Sequence, residues 1–449
     1  MFPLAAVLLL VVMEVPALIW GQQPAPPTGQ QCVDCHLKNS PQLVADWRAS
    51  KHFEAGIGCE TCHPAEHIAD ADKGVLVKRG NALPTPELCA QCHADRVDQF
   101  KKGKHAMAWT VMKAMPTAHM LPATLSDGMK GCGGCHKIGT KTDAEIRELR
   151  KTGVGYGVAS CDACHTRHTF SVAEARQPEA CKTCHMGFDH AQWEMYSSSK
   201  HGVRQQLRQM KVLPEEAAAP TCQTCHMPGG DHGVRTAWGF LAVRLPMPED
   251  KQWAEDRTVI LQALGVLDAS GKPTARLDTV KAADLARLTQ ESWQQERDAM
   301  QKACASCHVQ SFAKAELAKG DDMIRQADRL MAEAIRTVAA LYADGVLKKP
   351  SAADSPYPDL LEFHDASSQI EQKLFVMFLE HRMRAFQGTF HASPDYALWY
   401  GWSELKRDVP MPPGAELLLH GDGRIGTRRR RGEVVRAGVD RLVLRQRPG

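Results

Sequence analysis

Apolar residues recur at helical spacing in three stretches of the second half of the chain. The first is 277–303 (LDTVKAADLARLTQESWQQERDAMQKA), where strong helix formers fill the polar positions. The second runs over about residues 312–347 and the third over about 366–389, with the Pro-rich PSAADSPYPDL between them as a connector. No alternation of apolar and polar residues persists long enough for a strand. The first half reads differently, as short segments between closely spaced cysteines, with room only for short helices. The predicted class is all-α: a densely punctuated N-terminal body followed by long C-terminal helices. At the N-terminus, Phe2 to Trp20 is apolar except for Glu14, and the polar QQPAPPTGQ follows. That order is expected of a secretory signal, cut near Gly21, and its mature linker. An uncleaved anchor is the competing reading, but the run is marginal in length for a span.

Composition changes the picture. The 449 residues include sixteen cysteines and twenty histidines, and every cysteine falls in one of eight copies of CxxCH. These are Cys32, Cys35 and His36; Cys59, Cys62 and His63; Cys89, Cys92 and His93; and Cys132, Cys135 and His136. After them come Cys161, Cys164 and His165; Cys181, Cys184 and His185; Cys222, Cys225 and His226; and Cys304, Cys307 and His308. A disulfide framework obliges no His to follow, and structural zinc pairs one CxxC with another or with a spaced His pair. Two cysteines and an immediate His are the attachment of covalent c-type haem, so eight haem c groups are expected, with metal knuckles as the alternative. At one haem per about 56 residues, porphyrin forms much of the core. The organisation expected is 1–21 signal peptide or N-terminal anchor, 22–30 linker, 31–240 seven-haem body, 241–405 eighth haem and long helices, and 406–449 basic tail.

Thioether attachment of haem takes place outside the bacterial cytoplasmic membrane, so the chain is expected to be exported and periplasmic, with membrane association through the N-terminus if it stays uncut. The formal net charge is +3, and residues 421–449 hold nine arginines against three acids, so the rest carries −3. Arg428 to Arg431 would suit an acidic partner or a membrane surface; a solvated tail is the plainer reading. Nothing else favours nucleic acid.

Each motif His binds iron from one side, and the sixth position decides function: a second His closes the iron to all but electrons, whereas an open position admits substrate. Twelve histidines lie outside the motifs. Ser50-Lys51-His52, Gly103-Lys104-His105 and Ser199-Lys200-His201 share a local pattern and are read as distal ligands. His119, His168 and His190, close to motifs, come next. His67 and His420 are read as bystanders, and Met186 and Met227 as packing against porphyrin.

Eight CxxCH motifs, the long gap before the eighth, and the segments CQTCHMPGGDHG and FHASPDYALWYGW resemble the octahaem hydroxylamine oxidoreductase family over about residues 30–405. The resemblance implies that the fourth haem, on Cys132 and Cys135 with His136, is catalytic and lacks a distal ligand. It also implies that Asp231 and His232 face its open side as an acid–base pair. His391 then completes seven distal ligands with His52, His105, His119, His168, His190 and His201. Oxidative members of the family carry a tyrosine from a neighbouring subunit of a trimer, cross-linked to the catalytic haem; here Tyr396, ahead of Tyr400, is the candidate. Tyr342 is a further distal-pocket candidate, with helix packing as its plainer role. The implied activity is oxidation of hydroxylamine or hydrazine, with electrons passing to a c-type cytochrome. Reduction of nitrite or hydroxylamine to ammonia, and a closed electron conduit, are the alternatives.

Overall fold

A computed structural model of the chain describes residues 29–63, 84–114, 133–152, 160–187, 190–236, 247–282, 289–349, 355–361 and 366–409, and three short segments of the tail. The signal or anchor segment, most of the linker, His67, His119, Cys132, His364 and His420 lie outside the described residues. No described helix is long and apolar enough to cross a membrane.

The described residues before the tail are helical or irregular. In the N-terminal half helices are short and many contain a motif, as in α1 (Pro86–Lys101), which is followed directly by α2 (Lys104–Ala114). In the C-terminal half they lengthen: α3 (Lys251–Ala263), α4 (Gln290–Ala305), α5 (Gln310–Ala343), α6 (Gln369–Val376), α7 (Arg382–Phe390) and α8 (Glu404–Asp408). Thr289 caps α4 by accepting the Ser292 N–H, and Ser368 with Glu371 forms a reciprocal capping box on α6. The periodic stretch 277–303 therefore splits into Arg276–Ala282 and α4, and the expected helix over 366–389 becomes α6 and α7 joined by a π turn, Met377–His381. A second π-helix, Tyr396–Ser403, precedes α8. Period-3.6 patterning does not register such one-residue insertions. The tail holds a small antiparallel meander, β1 (Leu417–Leu419), β2 (Ile425–Arg428) and β3 (Val434–Val435). Strands of two to four residues are too short to show the alternation on which the all-helical reading rested.

The continuous apolar core lies within the C-terminal helices. Ile260 of α3, Ile324, Met331 and Ile335 of α5, Phe378 of the π turn and Phe386 of α7 are fully enclosed. At its centre lies charge: Asp328 of α5 accepts from Arg257 of α3 at 2.7 and 3.0 Å and from Arg382 of α7 at 2.6 and 3.0 Å. Trp253 adds a bond of 2.8 Å to the same carboxylate. Burial alone would raise the Asp328 pKa, but the two guanidinium groups and the indole N–H bring it below its ordinary value. One carboxylate thus joins three helices, and none of these charges meets water.

Replacing Asp328 by Ala strands two buried arginines and should cost about 3–5 kcal/mol, read as a lower denaturant midpoint by circular dichroism. Because the folded pKa is depressed, Asp328 contributes its stability above the unfolded pKa near 4 and loses it as pH falls. The midpoint of the native chain should therefore drop more steeply in acid than that of Asp328→Asn.

Candidate haem sites

The shared tripeptide around His52, His105 and His201 is a helix start. Ser50 accepts the Phe53 N–H and Ser199 the Gly202 N–H as N-caps, and Gly103 precedes α2. In all three the His is the second helical residue, held where the chain direction is best fixed.

Those and other spare histidines lie opposite motif histidines at one repeated separation. Ring centres are 6.1 Å apart for His52 and His93, 6.2 Å for His63 and His168, 6.0 Å for His201 and His308, and 6.3 Å for His226 and His391. His165 faces His232 at 6.2 Å; His185 faces both His105 at 6.0 Å and His190 at 6.3 Å, and one iron would take only one of these two opposite it. A metal–nitrogen bond of about 2.0 Å plus about 1.1–1.2 Å from nitrogen to ring centre puts two rings sharing one ion about 6.2–6.4 Å apart. The recurring separation therefore matches two imidazoles bound to opposite faces of one iron, and the residues fit haem.

Orientation and protonation agree with that use. A ring whose Nδ1 donates to a carbonyl directs Nε2 at the metal. His136 does so to Ala108 at 3.0 Å, His226 to Arg235 at 3.0 Å and His391 to Gln387 at 2.8 Å. Burial, with the facing ring second, pushes His168 down to about 4 and His391 down to about 4. Burial, then His105 and His190, pushes His185 down to about 3. All three are neutral at physiological pH, as iron ligation requires.

None of the fifteen described cysteines is in a disulfide. Instead, thiols of different motifs meet. Cys32 contacts Cys59, Cys89 contacts Cys161, Cys135 contacts Cys184, and Cys181 contacts Cys222. Cys62 lies near Cys89 and Cys92, Cys164 near Cys181 and Cys184, and Cys225 near Cys304 and Cys307. The attachment points run without a break through motifs one, two, three, five, six, seven and eight, with the fourth joined beside the sixth.

The remaining candidates fall elsewhere. The structure sets His232 against His165 of the fifth motif, and the Asp231 carboxylate does not hold its ring: it accepts the Gly233 N–H at 2.9 Å and faces Arg235 at 3.7 Å. The Tyr396 and Tyr400 rings lie 4.9 Å apart on the second π-helix with their planes tilted by 34°, and burial, then Glu194, raises the Tyr396 pKa. Tyr400 is 50% exposed and Trp399 63% exposed. Tyr342 donates to Glu371 at the start of α6, a helix-packing contact. His381 bonds Asp408 of α8. Sequence reasoning missed the groups that orient the rings, because main-chain carbonyls leave no residue signature.

Paired imidazoles across one repeated span, each with an attachment motif, define a c-type cytochrome with several covalent haems. The chain belongs to the multihaem cytochrome c family: the family described as "Seven times multi-haem cytochrome CxxCH" matches residues 55–259 and 275–354. Residues 21–64 match the family described as "Cytochrome c554 and c-prime". The chain is similar to a probable nitrite reductase–hydroxylamine oxidoreductase fusion protein of Kuenenia stuttgartiensis, 25% identical over 83% of this chain and 50% of that protein. It is also similar to the multiheme cytochrome MtrA of Shewanella baltica (strain OS185), 24% identical over 39% of this chain and 52% of that protein. It thus spans about half the length of these curated relatives. Its fold is that of the Kuenenia stuttgartiensis reducing HAO-like protein complex Kustc0457/Kustc0458, with a TM-score of 0.57 and 24% identity, covering 85% of this chain and 83% of that one. A hypothetical multiheme protein shares it, with a TM-score of 0.56 and 19% identity over 85% and 94%.

Replacing His168 by Ala in the holoprotein should convert one low-spin iron to high-spin with haem content unchanged, read by electron paramagnetic resonance and the pyridine haemochrome. An unchanged low-spin count would remove His168 from the ligand set.

Proposed function

We propose that this redox protein is an enzyme that oxidises hydroxylamine, or an equally small reduced nitrogen compound, at its fourth haem site and delivers the electrons to a c-type cytochrome outside the cytoplasmic membrane. What supports this most is the aromatic π-helix, with the Tyr396 and Tyr400 rings in tilted contact and Trp399 and Tyr400 turned to the surface. That turn is fixed: a Cβ on Gly401 would meet the Ala385 backbone at 2.3 Å and one on Gly388 the Ala397 nitrogen at 2.5 Å, so it packs main chain to main chain on α7. Rigid aromatics offered outward suit delivery of a phenol to a neighbouring subunit, and Tyr396 is the proposed cross-linker within a trimer.

Haem c, when bound, supplies one-electron storage at each iron and, at an open position, a place for a nitrogen atom to bind. The chain's own part begins at His136, whose Nδ1 donates to the Ala108 carbonyl, so that its Nε2 is the nitrogen that would hold the iron. The Cys135–Cys184 contact brings the fourth attachment site beside the sixth, and through it beside the rest. Reduction of nitrite or hydroxylamine is the second reading, supported by the name of the solved Kuenenia complex, a reducing HAO-like one, and by the nitrite reductase half of the fusion relative's name.

The test is denaturing electrophoresis with peptide mass spectrometry on the holoenzyme, beside assays in both directions. We expect covalent trimers, one haem peptide joined to residues 390–402, and hydroxylamine oxidation. Clean monomers forming ammonia would replace the proposal by the reductase. If cyanide, hydroxylamine and nitric oxide perturb no haem at all, the chain is a conduit.

A further inference from the structure

Ten residues after the seventh attachment site make a closed loop. The Arg235 N–H donates to the His226 carbonyl at 3.0 Å, and His226 Nδ1 bonds the Arg235 carbonyl in return. Gly229 and Gly230 turn the chain back on itself at φ +68° and +76°, a conformation other residues adopt only with strain. What the turn achieves is the placement of His232, whose ring centre lies 6.2 Å from that of His165 with the planes 13° apart.

We infer that His232 is the second axial ligand of the haem on Cys161 and Cys164, and that Gln99 and Arg96 of α1 position it there. The separation is the one shared by the other facing histidine pairs. His232 Nδ1 donates to the Gly230 carbonyl at 2.8 Å, so Nε2 is the nitrogen left to meet iron. Asp231, which an acid–base pair would need on the His232 ring, is occupied by the Gly233 N–H and Arg235. His232 therefore takes a part different from the acid–base one that family resemblance suggests.

The loop is also fastened from outside. The His232 N–H donates to Gln99 Oε1 at 3.2 Å, and Arg96 donates to Gln99 Oε1 at 3.2 Å and to the Gly230 carbonyl at 3.0 Å. Behind it, a Cβ on Gly103 would stand 2.4 Å from the Gly233 oxygen, so the loop and the turn between α1 and α2 touch through their backbones. Helix α1 carries the third motif, and its Cys89 contacts Cys161 of the fifth. Gln99 and Arg96 thus tie the ligand of the fifth haem to the helix of the third. The Gly230 carbonyl serves both Arg96 and His232. The guanidinium draws on its lone pairs, so the imidazole proton is held less strongly and the ferrous iron is favoured.

The inference rests on a covalent haem at the fifth motif and not on the identity of the substrate. In the His232→Ala holoprotein we expect one low-spin signal, of the rhombic type that near-parallel imidazole planes give, to be replaced by a high-spin signal. Haem content should be unchanged, and added imidazole should restore the low-spin form. Retention of every low-spin signal with loss of turnover would overturn the inference in favour of the acid–base role. Should that variant yield no holoprotein, Arg96→Ala and Gln99→Ala keep His232 but unfasten it. Cyanide should then reach the rhombic site about tenfold faster or more, the usual reach of an outer partner of a metal ligand. The midpoint potential followed on that signal should fall in Arg96→Ala. Unchanged potential and cyanide reactivity in both would overturn the positioning role and, with it, the ligand assignment.

Discussion

The constraint on which this molecule depends is a distance between two imidazoles. In seven pairings of a motif His with a spare one among the described residues, the ring centres are 6.0–6.3 Å apart. An error of a few tenths of an ångström on either side weakens a metal–nitrogen bond whose length is fixed near 2.0 Å. The polypeptide therefore has to deliver rings from distant parts of the chain to a common axis. It uses three devices: helix starts, as at His52, His105 and His201; helix ends, as at His391 after α7; and a double-glycine loop at His232.

The C-terminal helices take a direct part in this. Gln387 of α7 accepts the Nδ1 bond of His391 through its carbonyl, and its side chain accepts from Gln192 at 2.8 Å. Ser393 meets Ser198 at 3.0 Å, one residue from the cap of the helix that begins with Lys200 and His201. The histidines facing the seventh and eighth motifs are thus referenced to α7, and α7 is fixed to α3 and α5 by the arginines on Asp328. A core of conventional side chains holds one end of an array whose other end has few apolar residues of its own.

Much of this was legible in the sequence. Eight CxxCH motifs announce the cofactor, the helical periodicity announces the C-terminal body, and the repeated Ser-Lys-His or Gly-Lys-His pattern marks histidines at helix starts. The π segments were not legible, because an inserted residue shifts the phase of an apolar stripe without erasing it. Helix α3 was passed over, since Arg257 and Asp256 interrupt its apolar face and are buried with ion-pair partners on other helices. His232 shows the limit most plainly. The family resemblance implies a catalytic pair with Asp231, but the place of His232 is decided by two left-handed glycines and by Gln99, 133 residues away. Contacts of that reach have no local pattern.

If facing histidines share single iron atoms, each iron lies midway between two rings. Diffraction from crystals of the holoprotein at the iron absorption edge tests it most directly. Anomalous peaks should fall midway between His52 and His93, His63 and His168, His165 and His232, His201 and His308, and His226 and His391. Iron bound to the motif histidines but absent from those midpoints, with the spare rings turned away, would contradict it.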